Sequence, residues 1–148
     1  MEYKVINAHD YGLDAAIKYF HQRWGTARNL AFWEDAIKNS GKGDVLPRFE
    51  LLVSDDNEII GCYALVVSHG TSRLDLFPNV CSLWIEPKHR GKALSVYMLD
   101  HAKYRAGRMG FPNVYLTTNH RGLFEKLGCE RIENQFEPDG KPTGTFKL

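Results

Sequence analysis

The stretch Leu83-Trp84-Ile85-Glu86-Pro87-Lys88-His89-Arg90-Gly91-Lys92-Ala93-Leu94 joins an apolar strand pattern to a helical one through a short basic loop. Those residue types in that order suit an anion. The first amides of a helix point outward without intrahelical partners, at the positive end of its dipole. Small residues at Gly91 and Ala93 keep the loop floor low, so a phosphate can approach the backbone. Lys88, Arg90 and Lys92 add charge, and Pro87 stops the strand. The chemistry this predicts is a pyrophosphate cradle. It is not a P-loop, and it is not the dinucleotide fingerprint, because neither glycine pattern occurs there. The plain alternative is a strand-to-helix turn with solvated charges.

The elements that position this loop follow from hydrophobic periodicity. Residues 2–8 alternate as a first strand, and Asp10 to Gly12 reads as a turn. Leu13, Ala16, Ile17, Phe20 and Trp24 recur at helical spacing. A second helix starts near Asn29, with Leu30, Trp33 and Ile37 on one face. Phe49–Val53 and Glu58–Val67 read as a hairpin around Ser54-Asp55-Asp56-Asn57. Val80–Ile85 is a buried strand, and Gly91–Arg108 reads as a long helix. Val114–Thr118 is a strand and Arg121–Leu127 a short helix with Gly128 after it. Glu130–Phe136 and Thr143–Lys147 close the chain. A strand, crossover helix and strand over 80–118 predict a parallel pair with a right-handed connection. The hairpin predicts antiparallel pairing beside it. A mixed α/β (α+β) sheet of about six or seven strands with about four helices is expected.

Composition narrows the function. The chain has 148 residues, 19 Lys+Arg against 18 Asp+Glu, and a net charge of +1. That length suits a single domain over 1–148. No global field attracts nucleic acid or an anionic membrane. Cys62, Cys81 and Cys129 form no C-x-x-C pair, so neither a disulfide scaffold nor a zinc module is expected. His69, His101 and His120 lack metal-ligand spacing, so no metal is expected. The first six residues contain no signal-like apolar run. The longest apolar stretch, Ile59 to Val67, is too short to span a bilayer. A soluble cytoplasmic protein is expected.

Lys88-His89-Arg90-Gly91-Lys92-Ala93 resembles the acyl-CoA-binding motif of the GNAT superfamily of N-acetyltransferases. The family pattern is Gln/Arg-x-x-Gly-x-Gly/Ala after a strand ending hydrophobe-x-Pro. Here Lys stands in the first place. Tyr115-Leu116-Thr117-Thr118-Asn119-His120 and Phe124-Glu125-Lys126-Leu127-Gly128 are similar to the family's next strand and helix. The order of elements is similar over nearly the whole chain. The resemblance implies acetyl-CoA as co-substrate, with no metal. Backbone groups at Leu83, Trp84 and Ile85 would pair with the pantetheine amides. Amides of residues 88–93, running into Leu94, would hold the pyrophosphate. Ser95 stands where glycine is common, and its hydroxyl could donate to phosphate. Asn119 is a candidate pantetheine contact.

The family's usual general acid, a Tyr before the Glu of its Tyr-Glu-Lys segment, is replaced by Phe124. Phe124 has no proton to give and is expected to pack on the pantetheine arm. Water, His120 or Cys129 could take its place, or the thiolate could leave unaided. For the general base, Asp75, Glu86 and Glu34 are candidates. Asp75 is favoured, because Leu74-Asp75-Leu76-Phe77-Pro78 is similar to a stretch in small-molecule members. Glu86 could instead balance the charge of the phosphate loop. The acceptor would lie against residues 20–35, 68–78 and the last hairpin, with Trp33 or Phe32 lining it. Most of the aromatic residues on the first two helices are expected in the core. The resemblance implies acetyl transfer to a primary amine on a small molecule. A non-catalytic acyl-CoA-binding domain and a peptide or protein N-acetyltransferase stay open, as does a homodimer through the last strands.

Overall fold

A computed structural model describes residues 2–118 and 122–148. The strands are β1 (Tyr3–Asn7), β2 (Arg48–Ser54), β3 (Ile59–Val66), β4 (Asn79–Ile85), β5 (Tyr115–Thr117), β6 (Glu130–Phe136) and β7 (Pro142–Lys147). The helices are α1 (Ala8–Tyr11), α2 (Leu13–Trp24), α3 (Leu30–Lys38), α4 (Leu94–Arg108) and α5 (Leu123–Lys126), with a single 3₁₀ turn at Pro87–His89. The seven strands form one sheet in the order β1-β2-β3-β4-β5-β7-β6. Among the described residues, only β4 and β5 pair in parallel, as the crossover through α4 requires. The mixed α/β sheet expected from the sequence is therefore present, with one more short helix than expected.

Period-two alternation sorts β2 onto two cores. Phe49, Leu51 and Val53 meet α2 and α3 through Phe20, Trp33 and Ile37. Leu52, with Ile60, Tyr63 and Leu65 of β3, meets α4 through Met98, Leu99 and Ala102. The central strands are buried on both faces, so they read as continuous apolar runs rather than alternating ones.

Most boundaries differ from the sequence reading by a residue or two, and two differences bear on the backbone conformation. Residues 8–11 form α1 rather than a turn, because the Asn7 side chain accepts from the His9 amide and caps it. The long helix begins at Leu94, not Gly91. Gly91 and Ala93 hold left-handed φ angles of 81° and 56°, and no helical turn passes through them.

Candidate active site

The parallel pairing of β4 and β5 extends only over Asn79–Tyr115 and Val80–Leu116. Beyond it the strands part. Ser82 sits in β4 with φ 52°, a conformation uncommon for a residue with a side chain. The register against β3 shifts there, between Cys62 and Ala64. Such a bulge bends its strand. Among the described residues, Leu83 and Ile85 then have no partner on the β5 side, whereas Trp84 is paired with Cys62 and turns its carbonyl toward Gly61 of β3, which corrects its expected backbone pairing with the arm. Leu83, Leu116, Thr117 and Phe124 line the resulting opening.

The basic loop lies at the far end of β4. The His89 amide donates to the Glu86 carbonyl at 2.9 Å and the Arg90 amide to Pro87 at 3.2 Å. Both are thus engaged within the turn. The His89 ring is only 6% exposed and meets Tyr3 edge-on at 6.1 Å between centroids. His89 is a packing residue, which corrects its placement at the phosphates. Lys88 pairs with Glu58 at 3.7 Å, and Lys92 reaches the Tyr3 hydroxyl at 3.2 Å. The backbone that could receive an anion therefore lies nearer α4. Left-handed residues at Gly91 and Ala93 curve the chain into a concave run of amides. Helix α4 has no side-chain cap and no acidic residue in its first turn. A Cβ at Gly91 would meet nothing within 4 Å, so the space above the loop is open. These features fit a pyrophosphate. The Leu94 side chain is core, so only its amide is available. Ser95 and Arg90 line a cleft with Leu83, Trp84, Ile85 and Phe124. The Arg90 Nε donates to the Ile85 carbonyl at 2.9 Å, and its guanidinium lies 4.8 Å over the Trp84 ring.

The expected bases are placed elsewhere. Asp75 is exposed and bound through both oxygens to Arg73, at 2.9 and 2.8 Å. That pairing holds its carboxyl below the ordinary range, which disfavours proton uptake. Asp75 lines neither cleft around β4, which corrects its assignment as base. Glu86 accepts from Trp84 Nε1 at 2.6 Å and is ion-paired with Arg23. Both carboxylate oxygens thus tie β4 to α2, and Glu86 is a brace. Glu34 pairs with Lys38 at 3.5 Å beside a depression on the outer side of α3. Phe124 is 7% exposed and stacks at 5.3 Å on Phe146. Asn119 and His120 lie outside the described residues.

A second cleft, of about 670 Å³, opens on the α3 side of β4. Trp24, Phe32, Trp33 and Phe49 line it. The last hairpin does not. Trp24, His69, Cys81 and Ser82 border both this cleft and the β4–β5 opening. His69, just beyond β3, lies in the 68–78 segment expected against the acceptor, but the sequence gives it no role of its own beyond excluding metal-ligand spacing. Its place beside β4 follows from the pairing of β3 with β4, which spacing in the sequence does not encode. Burial pushes the Cys81 thiol up to about 11, so it stays protonated and unreactive at neutral pH.

Among the described residues, no group of three or more His, Cys, Asp or Glu could hold a metal ion. No described helix is long and apolar enough to cross a membrane.

No curated protein sequence matches the chain significantly. Solved structures share its fold at low identity. Mutant forms of the spermidine/spermine N-acetyltransferase from Vibrio cholerae superpose with a TM-score of 0.65 at 13% identity, over 99% of this chain and 92% of that one. An acyl-CoA N-acyltransferase from Pseudomonas aeruginosa gives 0.63 at 14%, over 99% and 97%. An acetyltransferase from Trypanosoma brucei gives 0.64 at 16%, over 92% and 98%. Similarity at that identity speaks to the fold alone. The family model for the acetyltransferase (GNAT) domain matches residues 47–130, more than half of the chain, from β2 through the splayed strands to the start of β6. The chain belongs to the GNAT acetyltransferase family.

Proposed function

We propose that this protein transfers acetyl from acetyl-CoA to a primary amine on a small molecule, by direct attack in a ternary complex. The observation that carries this reading is the meeting of two clefts at Trp24, His69, Cys81 and Ser82. One is the β4–β5 opening, which shares Leu83 and Phe124 with the cleft that Arg90 and Ser95 line, and the other opens on the α3 side. A domain that only sensed acyl-CoA would need the first cleft and not the second.

Acetyl-CoA supplies the activated acyl group: the nitrogen–carbon bond forms as the carbon–sulfur bond breaks, and CoA leaves as its thiol. The chain's part is to position and to move a proton. Amides from Gly91 into the first turn of α4, with Arg90, hold the pyrophosphate. The backbone of Leu83 and the amide of Ile85, on the open side of β4, pair with the amide groups of the arm, and Phe124 packs against it. Holding two reactants in attack geometry accounts for much of the rate. His69 takes the proton that the amine must lose; imidazole is the side chain most often used for this. Phe124 holds no proton, so solvent protonates the departing thiolate. Cys81 remains a thiol and forms no acetyl-enzyme.

The test is release of free CoA thiol from acetyl-CoA over a panel of primary amines. The reading requires acceptor-dependent release with an N-acetyl product. Acetyl-CoA binding without release on any amine would favour the sensing domain.

A further inference from the structure

The second cleft has a chemistry of its own. Trp24, Trp33 and Phe49 form an aromatic wall, backed from behind by the fully buried Phe20. Ring centroids lie 5.8 Å apart for Phe20–Trp33, 6.2 Å for Trp24–Trp33 and 5.2 Å for Phe20–Phe49. Phe20 and Phe49 are buried, so the wall is fixed before any ligand arrives. Phe32 stands at its edge, T-shaped on Trp33 at 5.2 Å, yet is 62% exposed. A large aromatic left in water beside an aromatic cleft marks a surface that a ligand can cover.

The cleft also has a direction. Its inner end is bordered by Trp24, His69, Cys81 and Ser82, which it shares with the β4–β5 opening. Its outer end is bordered by Phe32, Asp35 and Ala36, which also face the depression outside α3. Asp35 is the one carboxylate among the described lining residues, and it is on that outer rim. A polyamine or an aminoglycoside would bring several ammonium groups into the cleft. Each buried ammonium needs a paired anion, and the described inner lining supplies none. An apolar body, in contrast, finds matching surface along the whole wall.

We infer that the acceptor is a primary monoamine carried on an apolar, aryl-sized body, seated against Trp33, Phe49 and Phe32 with its amine at His69. This rests on the acetyl-transfer reading and specifies its substrate class. The amine loses its proton to His69 as it takes the acetyl group, and the product is a neutral amide.

The experiment compares kcat/KM for ethylamine, 2-phenylethylamine and spermidine at saturating acetyl-CoA, with acetyl-CoA binding measured separately by calorimetry. The phenyl body should raise kcat/KM over ethylamine by at least about tenfold. Spermidine should be poorer than 2-phenylethylamine. Phe32→Ser, at an exposed position where no core is emptied, should remove most of the phenyl advantage by raising KM, with acetyl-CoA binding retained. Acetyl-CoA binding with spermidine preferred, or with no phenyl advantage, would overturn the inference and leave acetyl transfer standing. Absence of acetyl-CoA binding would overturn the transfer reading and the inference with it.

Discussion

At the scale of single residues, the chemistry turns on which groups stand where the two clefts meet. His69 borders both and carries a proton-accepting nitrogen. Replacing it by Gln should lower kcat by roughly 10²- to 10⁴-fold, while calorimetry finds acetyl-CoA binding unchanged. A kcat within threefold of wild type would remove His69 from the proton path. Cys81 borders the same junction but is held as a thiol, its proton kept on by burial up to about pH 11. Mixing enzyme with acetyl-CoA alone should therefore give no stoichiometric burst of CoA, as followed by stopped-flow thiol detection. A burst would mean an acetyl-enzyme and a different mechanism.

The same scale shows where sequence reading reaches and where it stops. At Gly91 and Ala93 the small residue types mark the loop after β4, but helical periodicity over 91–108 hides the left-handed backbone at each, and the helix begins only after them. Asp75 was chosen through a likeness of neighbouring residues. Arg73, two positions away, holds its carboxylate in solvent instead. His89 lies within the motif but turns its ring onto Tyr3, a residue from the other end of the chain. His69 reaches the site through the pairing of β3 with β4, and no spacing rule in the sequence encodes that juxtaposition.

At the scale of elements, the splay of β4 from β5 depends on how β3 receives the other edge of β4. Gly61 of β3 lies opposite Ile85. A Cβ there would stand 2.6 Å from the Trp84 carbonyl oxygen and 3.1 Å from Ile85. The Ile85 contact is to its Cδ1 methyl, which can turn aside, but the Trp84 carbonyl is backbone and cannot yield without moving the end of β4, where we propose that the arm of the co-substrate lies. Gly61→Ala should destabilise the protein by about 1–3 kcal/mol in urea unfolding, as overpacking does, and should weaken acetyl-CoA binding as well. Normal stability and binding would show that β4 has slack at this point. Glu86 adds a second tie, joining Trp84 of β4 to Arg23 of α2. That long-range brace was read from the sequence as a base or a charge balance, because nothing near Glu86 in the chain points to α2. The strands themselves were legible to within a residue or two. Their apolar runs are continuous wherever both faces of the sheet are covered.

For the molecule as a whole, the sheet separates two cores, and polar groups are buried between them. Arg48 and Glu50 pair at 2.6 Å, with Asn7 beside the carboxylate. His101 of α4 meets the Tyr63 hydroxyl at 2.8 Å. Burial, with Arg105 and Arg48 nearby, lowers His101 to about 4. The unfolded chain then binds more protons than the folded one between that value and the ordinary histidine range near 6.5. Stability should rise with pH across this window and fall as pH drops through it. Burial moves the Glu50 carboxyl upward against the pull of Arg48 and Asn7, and its contribution runs the opposite way. The wild-type curve combines the two. The difference between wild type and His101→Phe isolates the histidine, and urea midpoints from pH 4 to 7 should show a flatter low-pH slope in the variant. Equal slopes would mean that His101 is charged in the folded protein.

The central claim is that the loop after β4 binds the pyrophosphate of acetyl-CoA on its backbone, and the direct measurement is calorimetric titration of acetyl-CoA into wild type and Gly91→Glu. The new side chain enters open space, with modest strain from the left-handed φ, so the fold should persist by circular dichroism while a negative charge occupies the cradle. Micromolar binding by wild type, lost in the folded variant, is the predicted result. Equal binding by both, or none by wild type, would contradict the account.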